Sequence, residues 1–250
     1  MKYTFNYIID SLPVKKNSKS SWWVKLWVRK ASFFFTYLFI NMGWSSNAVS
    51  YLSIIVALAA CTCFCIPSTP CVIAGVVLIN FWLILDCVDG NIARCLKQKK
   101  LYGEFVDAMS GYYTVAFVYM ALGVAAYNQS DTYFSNNILI VIIGAVASIC
   151  DILARLIFSN YCTVHRPDLK DNAEKAKNDE KGSINYIRKR VSKELGVSGM
   201  FMPLTIVGLC LNCYAWIVIF YVCFNGFALL STTIMYAYKA DKYDSLNKLV

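Results

Sequence analysis

Residues 72–111 read VIAGVVLINFWLILDCVDGNIARCLKQKKLYGEFVDAMSG. Asn80 alone interrupts the apolar run up to Leu85; Asp86 and Asp89 then arrive, Arg94 closes the segment, and Asp107 opens the next apolar run. A charged side chain deep in a bilayer costs about 2.5–3.5 kcal/mol, so four of them unpaired would cost roughly 10 kcal/mol. Packing alone does not justify that cost. Something charged, most simply divalent metal and phosphate, is expected among them.

The spacing supports this. Asp86, Asp89, Gly90, Ala93 and Arg94 fall at i, i+3, i+4, i+7 and i+8, one face of a helix. Asp107 follows Gly103 by one turn, at the start of the next helix. Two antiparallel helices joined by a short loop bring the three carboxylates together. Hard oxygen donors of this kind suit Mg²⁺ or Mn²⁺, which also bind substrate phosphates. Gly90 and Gly103 remove side chains where a base or a pyrophosphate needs close backbone approach.

Outward from this stretch, the chain reads as an all-α integral membrane protein. Of its 250 residues 58% are hydrophobic and 16% charged, more apolar than ordinary soluble domains. Several runs reach 18 residues. Without a repeat, a low-complexity linker or a second soluble module, residues 1–250 are read as a single membrane domain. Residues 1–45 form a cytoplasmic and interfacial segment, 46–240 a six-helix core, and 159–197 a solvated, partly helical cytoplasmic loop. No cleavable signal peptide is expected in the polar, basic first 30 residues.

Residues 21–41 mix Trp22, Trp23 and Trp27 with Lys25, Arg29 and Lys30. That mix predicts an amphipathic helix in the membrane interface, its basic residues facing anionic lipid; the alternative is that 31–42 joins a full span. Ser46 or Asn47 would cap a first span running to about Ile66. Further spans are predicted over about 72–94, 104–126 and 137–158. Residues 199–238 suffice for two more, with a break near 212–214. None of the 24 Lys and Arg falls on the loops 67–71, 128–135 or 212–214. By the positive-inside rule both termini and the aspartates face the cytoplasm. Topology thus explains the net charge of +9, and no nucleic-acid partner is needed. The eleven cysteines lie mostly inside apolar runs and form no framework; Cys61, Cys63 and Cys65 lack zinc-ligand spacing. His165, the lone histidine, reads as a solvated loop residue.

At Asp86, Asp89, Gly90, Ala93, Arg94, Gly103 and Asp107 the sequence resembles the CDP-alcohol phosphotransferases (CDP-alcohol phosphatidyltransferases), whose signature is D-x2-D-G-x2-A-R-x8-G-x3-D-x3-D. The resemblance implies transfer of a substituted phosphoryl group from a CDP-alcohol to an acceptor hydroxyl, with release of CMP. It further implies a two-metal site of Mg²⁺ or Mn²⁺ on Asp86, Asp89 and Asp107, with Gly90, Ala93, Arg94 and Gly103 shaping the nucleotide pocket. A homodimer in a bacterial inner or plasma membrane, working in lipid or glycan synthesis, also follows from the resemblance.

One position departs from the signature. Where the family has its fourth Asp, the proposed general base, this chain has Gly111. Three readings stand open: an engineered Asp→Gly variant, a divergent member using Asp151 or a metal-bound water instead, or a relative that binds nucleotide without turnover. Arg155 is either an anchor for an anionic acceptor or the i+4 salt-bridge partner of Asp151. Outside the enzyme class, the alternative is a scaffold or transporter whose aspartates bind a cation or nucleotide. A transporter predicts midplane charges and repeat-related broken helices, and neither is read here.

Overall fold

The computed structural model describes residues 3–13, 20–97, 101–129, 134, 136–164 and 184–247, with side chains for all of these except 184–189 and 243–247. Among the described residues the chain is helical. A short α1, Phe5–Asp10, precedes α2, Arg29–Asn41, which is entered through a π-helical turn over Val24–Val28. There follow α3 (Ser46–Cys65), α4 (Thr69–Cys95), α5 (Leu101–Asn128), α6 (Ile138–Val164), α7 (Ile184–Leu195), α8 (Met202–Leu211) and α9 (Tyr214–Asn247).

Six stretches are long and apolar enough to cross a membrane: Ser46–Cys65, Thr69–Cys95, Leu101–Asn128, Ile138–Val164, Arg190–Leu211 and Tyr214–Lys242. The shortest has 20 residues, about 30 Å at 1.5 Å per residue, the thickness of a hydrocarbon core. This is the six-span architecture expected, preceded by N-terminal helices. The last two stretches part at Asn212, whose φ of 49° is a left-handed conformation that Asn tolerates, inside the expected break.

Several local expectations need correction. The cap of α3 is Ser45, whose Oγ accepts from the Ala48 N–H at 3.2 Å, so neither Ser46 nor Asn47 fills that role. The second span begins at Thr69, with Pro70 in its first turn, where a missing N–H costs nothing. Within 159–197, α6 runs on to Val164 and α7 covers Ile184–Leu195. Residues 165–183, His165 among them, lie outside the described residues, as do 130–133 and 135 of the loop after α5.

The helix at 22–41 turns Val24, Val28, Ser32, Thr36 and Ile40 inward at four-residue spacing and packs against α4. Lys25 and Lys30 are exposed. Arg29 is not: it is only 8% exposed, because it shares the inward side with Val28.

Helices α5 and α6 touch backbone to backbone. A Cβ at Gly144 would lie 2.5 Å from the Tyr119 carbonyl oxygen, and one at Gly123 would lie 2.8 Å from that of Ile140. Such close approach through small residues is how helices gain packing where lipid offers no hydrophobic contrast. The two contacts also fix the antiparallel register: 144 opposite 119–120, and 123 opposite 140–141. Two turns further along α6 and back along α5, Asp151 comes level with Tyr112 and Tyr113, beside Gly111.

Candidate active site at the ends of two spans

Asp89 is 3% exposed on α4 and is held from α3. Ser50 Oγ donates to its carboxylate Oδ2, and Ser46 Oγ donates to its backbone carbonyl at 2.9 Å. Ser46 and Ser50 stand one turn apart, so one face of α3 grips one turn of α4. A second clasp lies deeper. Ser53 and Ser110 share a hydrogen bond of 2.6 Å, and Trp82 Nε1 donates to Ser110 Oγ at 3.0 Å, which ties α3, α4 and α5 together next to Gly111.

Asn91 connects α2 to the site. Its Nδ2 donates to Ser32 Oγ at 3.2 Å and to Thr36 Oγ1 at 3.0 Å, while its Oδ1 accepts from Arg94 Nη2. The orientation of Arg94 is therefore set by a helix some sixty residues earlier in the chain.

Two cavities adjoin these helix ends. The first, of about 690 Å³, is lined by Asp86, Asp89, Gly90, Arg94 and Asp107 from the sequence pattern, and by Arg29 and Lys193 from outside it. Ala93 and Gly103 are not among its lining; Gly103 instead packs toward α3, where an added Cβ would meet Asn47 Oδ1 at 3.4 Å. The second cavity, of about 850 Å³, is lined by Asp86, Gly111, Asp151, Arg155 and Lys239 among others. Asp86, Lys193 and Ser198 line both, so the two spaces meet at those residues.

In the second cavity Arg155 Nε donates to Asp151 Oδ1 at 2.7 Å. The Tyr119 hydroxyl donates to Oδ2 at a long 3.5 Å. Arg155 is thus the i+4 salt-bridge partner of Asp151, and it also lines the cavity. A Cβ at Gly111 would meet nothing within 4 Å. Glycine inside a helix costs about 0.5–1 kcal/mol relative to alanine. Gly111→Ala is therefore expected to raise stability by about that amount, read as a higher thermal midpoint in detergent.

Asp86, Asp89 and Asp107 supply the oxygen-only donor set that Mg²⁺ and Mn²⁺ favour, and all three line one cavity. The donor chemistry fits such an ion. Their side chains stand apart: among the described residues no three His, Cys, Asp or Glu side chains converge closely enough to hold one.

The sequence profile of the CDP-alcohol phosphatidyltransferases matches residues 44–178, more than half of the chain. This protein belongs to the CDP-alcohol phosphatidyltransferase family. No curated protein matches it. The family's members are transferases of phosphorylated groups that use CDP-linked alcohols. The matched segment takes in α3 to α6 and with them Asp86, Asp89, Arg94, Asp107, Gly111, Asp151 and Arg155. Arg29, Lys193 and Lys239 lie outside it.

Four residues at this candidate site, Ser50, Asn91, Arg29 and Lys193, are not singled out as site residues by the sequence. Ser50 and Asn91 were visible only as polar interruptions in apolar helices, and their partners are 39 and 55–59 residues away. Arg29 was read with its lysine neighbours, although the Val28–Ser32–Thr36 stripe beside it signalled the inward face. Lys193 stands in a stretch of mixed charge, where no spacing singles it out.

Proposed function

We propose that this chain transfers a substituted phosphoryl group from a CDP-alcohol to an acceptor hydroxyl, with release of CMP, at the cytoplasmic face of a membrane. The observation that carries this reading is the pair of cavities meeting at Asp86. One is walled by carboxylates and guanidinium groups and suits a nucleoside diphosphate; the other is roomier and lined by Arg155, Lys239 and aromatic side chains. The distribution of Lys and Arg supports the cytoplasmic side, and family membership supports the donor class. A homodimer in a bacterial inner or plasma membrane is carried from the resemblance alone.

Asp86, Asp89 and Asp107 would hold Mg²⁺ or Mn²⁺, which supplies neutralisation of the charge on the diphosphate and its leaving group. Arg94, held by Asn91, orients the diphosphate from the cavity wall. The acceptor lies in the second cavity, where Arg155 and Lys239 draw an anionic group. Its hydroxyl oxygen attacks the phosphorus that carries the donor alcohol. The bond from that phosphorus to the bridging oxygen breaks, CMP leaves with that oxygen, and the hydroxyl proton goes to a carboxylate.

Gly111 cannot accept that proton. Asp151 lines the same cavity, comes level with Gly111 across the α5–α6 contact, and leaves Oδ2 with one long hydrogen bond. Asp151 is the base in this reading. Loss of a general base costs about 10²–10⁴-fold. Asp151→Asn is expected to cut CMP release by that much, and Gly111→Asp added to it is expected to recover most of the loss. The assay uses CDP-diacylglycerol with glycerol 3-phosphate, and CDP-ethanolamine with diacylglycerol, in Mn²⁺. Unchanged CMP release in Asp151→Asn would rule the base out. A chain that binds CDP and yields CMP only after Gly111→Asp would instead be the nucleotide-binding relative that Gly111 also suggests.

A further inference from the structure

We propose that Arg29, which lies outside the family segment, is a ligand of the donor's diphosphate. The inference rests on the donor occupying the 690 Å³ cavity. Arg29 stands where the π-helical turn Val24–Val28 passes into α2, 8% exposed, and lines that cavity. Its Nη2 donates to Ser20 Oγ at 2.8 Å, yet its Nε is buried without a hydrogen-bond partner. Arg94 repeats the pattern: Nη2 is engaged by Asn91 and Nε is buried without a partner.

The two guanidinium groups are near enough to act on each other electrostatically, and Lys193, on the same cavity, feels Arg29 as well. Like charges brought together out of water are costly unless an anion joins them. An unbonded buried N–H adds to that cost. A planar fork of N–H groups matches phosphate oxygens, and a diphosphate presents enough of them for two arginines. The carboxylates on the same cavity do not replace it, since each is an acceptor suited to the cation that a diphosphate brings with it. Arg29 therefore holds the phosphates from the α2 side while Arg94 holds them from α4. The N-terminal helix becomes part of the binding site rather than an anchor beside it.

Hydrogen bonds from Arg to phosphate are charge-assisted, and losing one such pair weakens binding about 10- to 100-fold. The test titrates CDP and CMP into the full chain in nanodiscs of zwitterionic lipid with Mn²⁺. Arg29→Gln is expected to weaken CDP about 10- to 100-fold and CMP markedly less, so that the CDP-to-CMP affinity ratio falls. Arg29→Lys, which keeps the charge and loses the fork, is expected to fall between. A structural role at Ser20 alone would weaken both nucleotides equally, and that result overturns the proposal, as does an unchanged CDP affinity. If the anion is instead a lipid headgroup, CDP affinity will ignore Arg29→Gln and respond to anionic nanodiscs, which also overturns it. Failure of the unaltered chain to bind CDP at all would strike at the proposed function, not at Arg29 within it.

Discussion

Asp89→Asn is expected to abolish CMP release, by at least about 10²-fold, while leaving the fold intact or more stable. Disturbing a residue that merely orients a metal ligand costs 10–100-fold, and removal of a ligand costs more. Asparagine keeps the volume and still accepts from Ser50 Oγ, so the α3–α4 clasp survives. What disappears is one negative charge, buried at 3% exposure and within electrostatic reach of Asp86 and Asp107. With no cation bound, burying a carboxyl group beside two others costs stability, and an amide of the same size lightens that cost. Activity down and thermal midpoint level or up, in the same purified sample, is the signature of a site that holds charge for function. A midpoint that falls with activity would make Asp89 a structural residue.

Gly144→Val is expected to destabilise the chain by about 2 kcal/mol or more and to remove activity with it. The Cβ would sit 2.5 Å from the Tyr119 carbonyl oxygen and 3.2 Å from the Met120 Cα, both backbone atoms that no rotamer change can move aside. The helices must separate, and overpacking of this kind costs about 1–3 kcal/mol before the loss of neighbouring contacts. Separation also shifts Asp151 relative to Gly111, since their level placement depends on that contact. A lower midpoint, with fluorescence-detected gel filtration showing loss of the folded peak, checks it. Gly111→Ala, on the preceding helix and facing open space, is the matched control with the opposite sign.

The six spans were legible because apolar length is a property of contiguous sequence, and it survives any error in packing. The Asp86–Asp89–Arg94 face was legible for the same reason: helical spacing is local. Asp107 joined it because a short turn leaves little choice of partner. Legibility ended where partners are distant in sequence. The second cavity is assembled from α4, α5, α6, α9 and the chain around α7, and no local pattern announces it. Arg29 was misassigned because three neighbouring cations look alike in sequence, whereas burial distinguishes one of them from the other two. Ala93 and Gly103 fit the signature's spacing but not the cavity wall, since spacing fixes a face and not what lies opposite. Gly111 was visible as a departure; that the space beside it is open, with Asp151 level across the helix contact, required the α5–α6 register.

Asp86, Asp89 and Asp107 are proposed to serve a CDP-linked donor through a divalent ion. Isothermal titration of CDP into the full chain in nanodiscs, with Mn²⁺ and then with the ion chelated, tests it most directly. Saturable CDP binding is expected in Mn²⁺, and it is expected to disappear on chelation and in Asp86→Asn. Binding that is indifferent to both, or no binding of CDP in Mn²⁺, would contradict it.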